Sequence, residues 1–93
     1  MIIAVDYDGT LSIDGKPNIP LIARLRREQA SGSIVILWTC RNGKSLAEAV
    51  QQLAACGFKP NYVNANCPQA IRQFGGDTRK VYADVYIDDK NAR

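Results

Sequence analysis

Apolar residues fall into short blocks separated by polar stretches rich in Gly, Pro, Asn and Asp. Ile2-Ile3-Ala4-Val5 and Ile34-Val35-Ile36-Leu37-Trp38 are unbroken runs without alternation. Such runs predict strands buried on both faces, as in parallel sheets covered by helices. Asn61-Tyr62-Val63-Asn64 predicts a short third strand, and its flanking asparagines suggest a sheet edge. A last strand lies between Val81 and Ile87, with an uncertain start because Asp84 interrupts it.

Helical spacing fills the intervals. Asn18 caps a helix with Pro20 in its first turn. Leu21, Ile22 and Leu25 make its inner face, Arg24, Arg26, Arg27 and Glu28 face water, and Gly32 ends it. Ser45-Leu46-Ala47-Glu48 reads as a capping box, with Ala49, Val50 and Leu53 continuing the apolar stripe up to Gly57. Pro68 opens a third helix carrying Ile71 and Phe74, closed by Gly75-Gly76. Alternating strands and helices predict an α/β fold, a parallel sheet of about four strands with helices on both faces. Residues 1–93 read as one domain.

Composition narrows the chemistry. The chain has 93 residues, a net charge of +3 and no histidine. A small positive balance suits an anionic substrate without pointing to nucleic acid. Without histidine there is no His-based triad or His metal site, so acid–base work falls to carboxylates, Lys, Tyr or Cys. Cys40, Cys56 and Cys67 show no close pairing, which fits reduced thiols in a cytoplasmic protein. Met1 runs straight into a core strand, so no signal peptide is expected. No apolar segment is long enough to span a membrane.

The acids concentrate at one place. Asp6 and Asp8 follow the first strand at its carboxyl end, where open α/β sheets bind ligands. Two carboxylates at the mouth of an apolar strand are costly to desolvate without a partner. A hard cation such as Mg²⁺ is the obvious candidate, and its usual partners are phosphates.

Asp6-x-Asp8-Gly9-Thr10-Leu11 after an apolar strand resembles the first motif of the haloacid dehalogenase-like (HAD) hydrolase superfamily. Thr39 at the end of the second strand, Lys80 before the last one, and Asp88-Asp89 after it follow in that superfamily's order. The resemblance spans nearly the whole chain. It implies a Rossmann-like three-layer sandwich with strand order 3-2-1-4 and a short hairpin-like flap at Ser12–Asn18. The gaps between motifs are too short for a cap domain, so the site is expected to be open or covered by another molecule. The chain also stops short of the strand and helix with which most members continue. An uncovered edge beside the last strand would favour a homo-oligomer.

The resemblance implies a Mg²⁺-dependent phosphatase acting through an aspartyl-phosphate on Asp6. Asp8 is then the general acid and base. Its side chain should point the same way as that of Asp6 if strand geometry persists, and its pKa should lie above the ordinary value. Gly9 lets the backbone turn sharply or approach phosphate, and Thr10 supports the Asp6 loop through its hydroxyl. Thr39 binds the phosphoryl group, helped by the loop of Cys40 and Arg41, and Lys80 neutralises it. Asp6, Asp88 and the backbone carbonyl of Asp8 hold the metal, with Asp89 as an alternative ligand. Arg41 could contact a substrate anion bidentately or be a surface arginine.

Phosphorylated metabolites, nucleotides and polynucleotide ends all remain open as substrates. Gly76-Asp77-Thr78-Arg79-Lys80 and Asp88-Asp89-Lys90 are faintly similar to the phosphatase domains of polynucleotide kinases. Receiver-like signalling modules use the same residue types, but there the middle strand ends in the phospho-acceptor Asp, and here it ends in Thr39. A catalytically inactive metal-binding domain is a further alternative.

Overall fold

The computed structural model describes residues 1–65 and 82–88. Its elements are β1 (Ile2–Val5), a flap of β2 (Ser12–Ile13) and β3 (Lys16–Pro17), α1 (Ile19–Ala30), β4 (Ile34–Leu37), α2 (Gly43–Ala55), β5 (Tyr62–Val63) and β6 (Val85–Ile87). The main sheet is parallel throughout, in the order β5-β4-β1-β6. Counting core strands along the chain, that is 3-2-1-4. The fold is Rossmann-like α/β, and no cap domain interrupts the described residues.

The central strand β1 is fully buried because both neighbours and both sheet faces cover it. Ile3 and Val5 point to the face where Ile22 and Leu25 of α1 and Ala49 and Leu53 of α2 pack. Ile2 and Ala4 point to the other face, with Ile36 and Ala83. Both described helices thus lie on one side of the sheet. The chain moves from β1 to β4 to β5 in one direction, and right-handed crossovers then place both connections on the same side. The helix expected from Pro68, with Ile71, Phe74 and Gly75-Gly76, lies outside the described residues.

Local chemistry explains the boundaries. Asn18 caps α1 and also donates its amide to the Thr10 carbonyl at 3.0 Å, which ties the helix start to the loop after β1. Both helices end in the Schellman pattern. Ser33 N–H bonds the Glu28 carbonyl, and Phe58 N–H bonds that of Leu53. Phe58, just past the end of α2, is 1% exposed and belongs to the same core cluster as Leu53. The flap forms as expected on Asp14-Gly15, whose φ angles of 52° and 78° suit a two-residue hairpin turn.

One expectation fails in detail: the helix α2 starts at Gly43, not after Ser45. Asn42 holds the N-cap position, so Ser45 lies inside the first turn, where its hydroxyl donates back to the Asn42 carbonyl at 2.9 Å. As the sequence suggested, Asp84 interrupts the last apolar run, and β6 begins only at Val85. The Asp84 carboxylate accepts from Ile2 N–H at 2.7 Å and its own N–H donates to the Ile2 carbonyl at 2.8 Å, which extends the β1–β6 pairing.

The edge strand β5 has only two residues, and the asparagines lengthen it. Asn61 donates its N–H to Val35 O and accepts Val35 N–H on its side-chain oxygen, both at 2.8 Å. Asn64 does the same one turn of the ladder further on, toward Leu37 O and Thr39 N–H. Because Val35 is fully buried, Asn61→Ala leaves its N–H without a partner. That substitution should cost roughly 1–3 kcal/mol in urea unfolding, and Asn61→Asp, which keeps the acceptor, should cost less.

Candidate active site at the carboxyl edge of the sheet

The parallel register builds the site. Val5 pairs with Leu37 on one side and with Ile87 on the other. The next residues are therefore Asp6 flanked by Trp38 and Asp88, with Thr39 one step on. Asp6 N–H donates to the Ile87 carbonyl at 2.9 Å, and Trp38 N–H to the Val5 carbonyl at 2.9 Å. These bonds continue the ladder to the point where the side chains emerge. Asp6, Thr39 and Asp88 line one cavity of about 460 Å³, together with Cys40, Asn64, Trp38 and Tyr86.

Thr39 is fixed from two directions. Its N–H donates to the side-chain oxygen of Asn64 at 2.8 Å, and its hydroxyl oxygen accepts from Arg41 N–H at 3.1 Å. The hydroxyl proton remains available to an oxyanion. Asn64, read in the sequence as an edge signal only, is thus the residue that anchors the threonine loop. Its φ of 52° bends the chain at the end of β5.

Asp8 departs from expectation. The strand ends at Val5, and Tyr7 O accepts from both Thr10 and Ser12 N–H, which folds the chain back at once. Gly9 takes φ 80° in that turn, a conformation that favours glycine. As a result Asp8 lies outside the cavity lining and is exposed. Its carboxylate forms a two-pronged pair with Arg41, Nη2 to Oδ1 at 2.8 Å and Nε to Oδ2 at 3.0 Å. Arg41 also bonds the Ser45 carbonyl at 3.1 Å and lies 4.7 Å from the Tyr7 ring centre. The buried Tyr7 hydroxyl in turn bonds Gln52 of α2. Hydrogen bonding to Arg41 holds the Asp8 carboxyl below its ordinary pKa, against a smaller opposing effect of desolvation. The expected upward shift is not present in this state.

Thr10 is 2% exposed, and its hydroxyl has no hydrogen-bond partner. Support of the Asp6 loop instead comes from backbone bonds and from Asn18. Lys80, Asp89 and Cys67 lie outside the described residues. Among the described residues, no group of three or more His, Cys, Asp or Glu side chains could hold a metal. Asp6 and Asp88 nevertheless follow paired residues on neighbouring strands and line the same cavity. Carboxylate and carbonyl oxygens are the donors a hard cation takes. Asp6 and Asp88 supply two such carboxylates at this cavity.

Among the described residues, no helix is long and apolar enough to cross a membrane. No family model matches the chain, and no curated protein matches it. A solved structure does: that of a conserved protein coded by a locus of Bacteroides thetaiotaomicron. It is 35% identical, with a TM-score of 0.82 over 98% of this chain and 77% of that one. The chain belongs to the same family as that protein.

The Asp8–Arg41 pair has a pH signature. A depressed folded pKa contributes stability above the unfolded carboxylate value, about 3.9. That contribution is lost as pH falls through the lowered folded value. Arg41→Met should therefore lower the urea midpoint more at neutral pH than at strongly acid pH, where only its contacts with Ser45 and Tyr7 are lost. The ¹³C carboxyl resonance of Asp8 should titrate at a higher pH in the variant.

Proposed function

We propose that the protein is a HAD-like, Mg²⁺-dependent phosphatase that hydrolyses phosphomonoesters through an aspartyl-phosphate on Asp6. The observation that carries this reading is the convergence of Asp6, Thr39 and Asp88 on one cavity at the carboxyl edge of a parallel sheet. The motif order along the sequence supports it independently.

In this reading, an Asp6 carboxylate oxygen attacks phosphorus and the bond to the leaving oxygen breaks. The Thr39 hydroxyl, held by Asn64 and by its own loop, donates to a phosphoryl oxygen. Asp6, Asp88 and the Asp8 carbonyl would hold Mg²⁺. A bound Mg²⁺ screens the attacking carboxylate from the phosphate dianion. Lys80 supplies further positive charge.

Asp8 delivers a proton to the leaving group and then removes one from the attacking water. Its pair with Arg41 holds it ionised, which is the correct state for the second step. For the first step, Arg41 must transfer from Asp8 to the substrate's oxygens, which its two-pronged geometry suits equally well. Arg41 thus acts as a substrate contact in this reading.

Asp6→Asn should abolish hydrolysis of a phosphomonoester panel while leaving the fold intact by circular dichroism. Chelation of Mg²⁺ should do the same reversibly. Thr39→Ala should lower kcat/KM by roughly 10²-fold, the usual effect of removing one oxyanion donor. Full activity in Asp6→Asn would end the assignment.

A further inference from the structure

Between the two acids of the first loop stands Tyr7, whose ring has no part in the mechanism above. Its N–H donates to Asp6 Oδ1 at 2.8 Å, and the guanidinium carbon of Arg41 lies over its ring, 4.7 Å from the centre. We propose that Tyr7 is a positioning residue, and that its ring is the bearing on which the Arg41 guanidinium turns from Asp8 to the phosphoryl group. The inference rests on the phosphatase reading and adds a residue that acts through Arg41.

The ring is held by the core. Tyr7 is 3% exposed and belongs to the cluster that includes Val5 of β1 and Leu53 of α2. Its hydroxyl donates to Gln52 Oε1, and the Gln52 amide nitrogen donates to the Gly15 carbonyl of the flap at 3.5 Å. Helix and flap thus fix the far end of the ring. Arg41, by contrast, is 32% exposed, and its contacts are of two kinds. The bonds from Nε and Nη2 to Asp8 are directional and must break before the same fork can grip a phosphoryl group. Nη1, which bonds the Ser45 carbonyl, is not part of that fork. Attraction between a cation and a ring face depends on height above the ring. It changes little when the guanidinium rotates in its own plane. Turning the fork therefore gives up Asp8 and keeps the ring. Without the ring, an arginine released from Asp8 would regain its rotamer freedom, and substrate binding would have to order it again.

The test reads Arg41 directly. Its Nε–H cross-peak, assigned by its loss in Arg41→Met, is followed by ¹⁵N NMR while inorganic phosphate is added in the presence of Mg²⁺. The peak should shift saturably, and exchange of this proton with water should stay slow at saturation. Tyr7→Phe keeps the ring and should retain both properties. Tyr7→Leu should speed that exchange roughly tenfold and weaken phosphate binding roughly fivefold, as expected for loss of one half-exposed cation–ring contact. If Tyr7→Leu fails to fold, Tyr7→Met, whose flexible side chain fills irregular core space, takes its place with the same expectation. A double-mutant cycle separates positioning from packing: in the Arg41→Met background, Tyr7→Leu should change phosphate affinity by less than about twofold.

A peak that phosphate does not move, exchange indifferent to loss of the ring, or equal losses of affinity in both backgrounds would overturn the inference. Turnover of a phosphomonoester panel separates the two claims. Hydrolysis, with Tyr7→Leu equally damaging whether or not Arg41 is present, retires the bearing and keeps the phosphatase. Ring-dependent exchange and a non-additive cycle, with no hydrolysis of any ester, keep the bearing and retire the phosphatase.

Discussion

The structure depends on the in-register parallel pairing of β1 between β4 and β6. Each strand crosses the buried sheet and ends at the same level. Residues more than eighty positions apart in the chain therefore emerge side by side, because Asp6 and Asp88 each follow one member of the pair Val5–Ile87. A slip of one residue in either pairing would turn every side chain to the other face. It would send Ile3 and Val5 away from the helices and the acids away from their cavity. Burial of the apolar runs and assembly of the site are thus one constraint. The Asp84 carboxylate holding Ile2 N–H closes the register at the opposite end of the same pairing.

Much of this was legible in the chain. Unalternating runs identified the two central strands, glycine and proline punctuation located α1 and α2, and the flap came from resemblance. Strand order came from resemblance, since periodicity does not reveal which strands are neighbours. The errors have physical causes. Ser45 has capping-box spacing to Glu48, yet its hydroxyl bonds backward to Asn42, because α2 begins one turn earlier than the motif suggests. Asp84 does break the last apolar run, since β6 begins at Val85, and its carboxylate accepts from Ile2 N–H just before the strand starts. Phe58 was hidden by its place just past a helix end, where a residue can be either a turn or the apolar clasp of a Schellman motif.

The site was legible in its residue types and less so in its geometry. Alternation along an extended strand placed Asp6 and Asp8 on one side, but β1 ends at Val5 and the chain turns at Tyr7. Asp6 stays at the cavity, and Asp8 moves out to meet Arg41. No sequence signal distinguishes an arginine reserved for substrate from one paired with a nearby acid, and in the proposed mechanism Arg41 does both in turn. Asn64, Trp38 and Tyr86 were overlooked because each has an ordinary structural use. Their contribution follows only from the register that brings them to one edge.

The proposed chemistry stands or falls on a covalent bond to Asp6. Incubation with a phosphomonoester and Mg²⁺, followed by rapid acid quench, borohydride reduction and peptide mass spectrometry, reads that bond directly. Reduction converts an aspartyl-phosphate to homoserine, and the account places homoserine at position 6 alone. Substrate turnover with homoserine at another acid, or with none at any position, would contradict it.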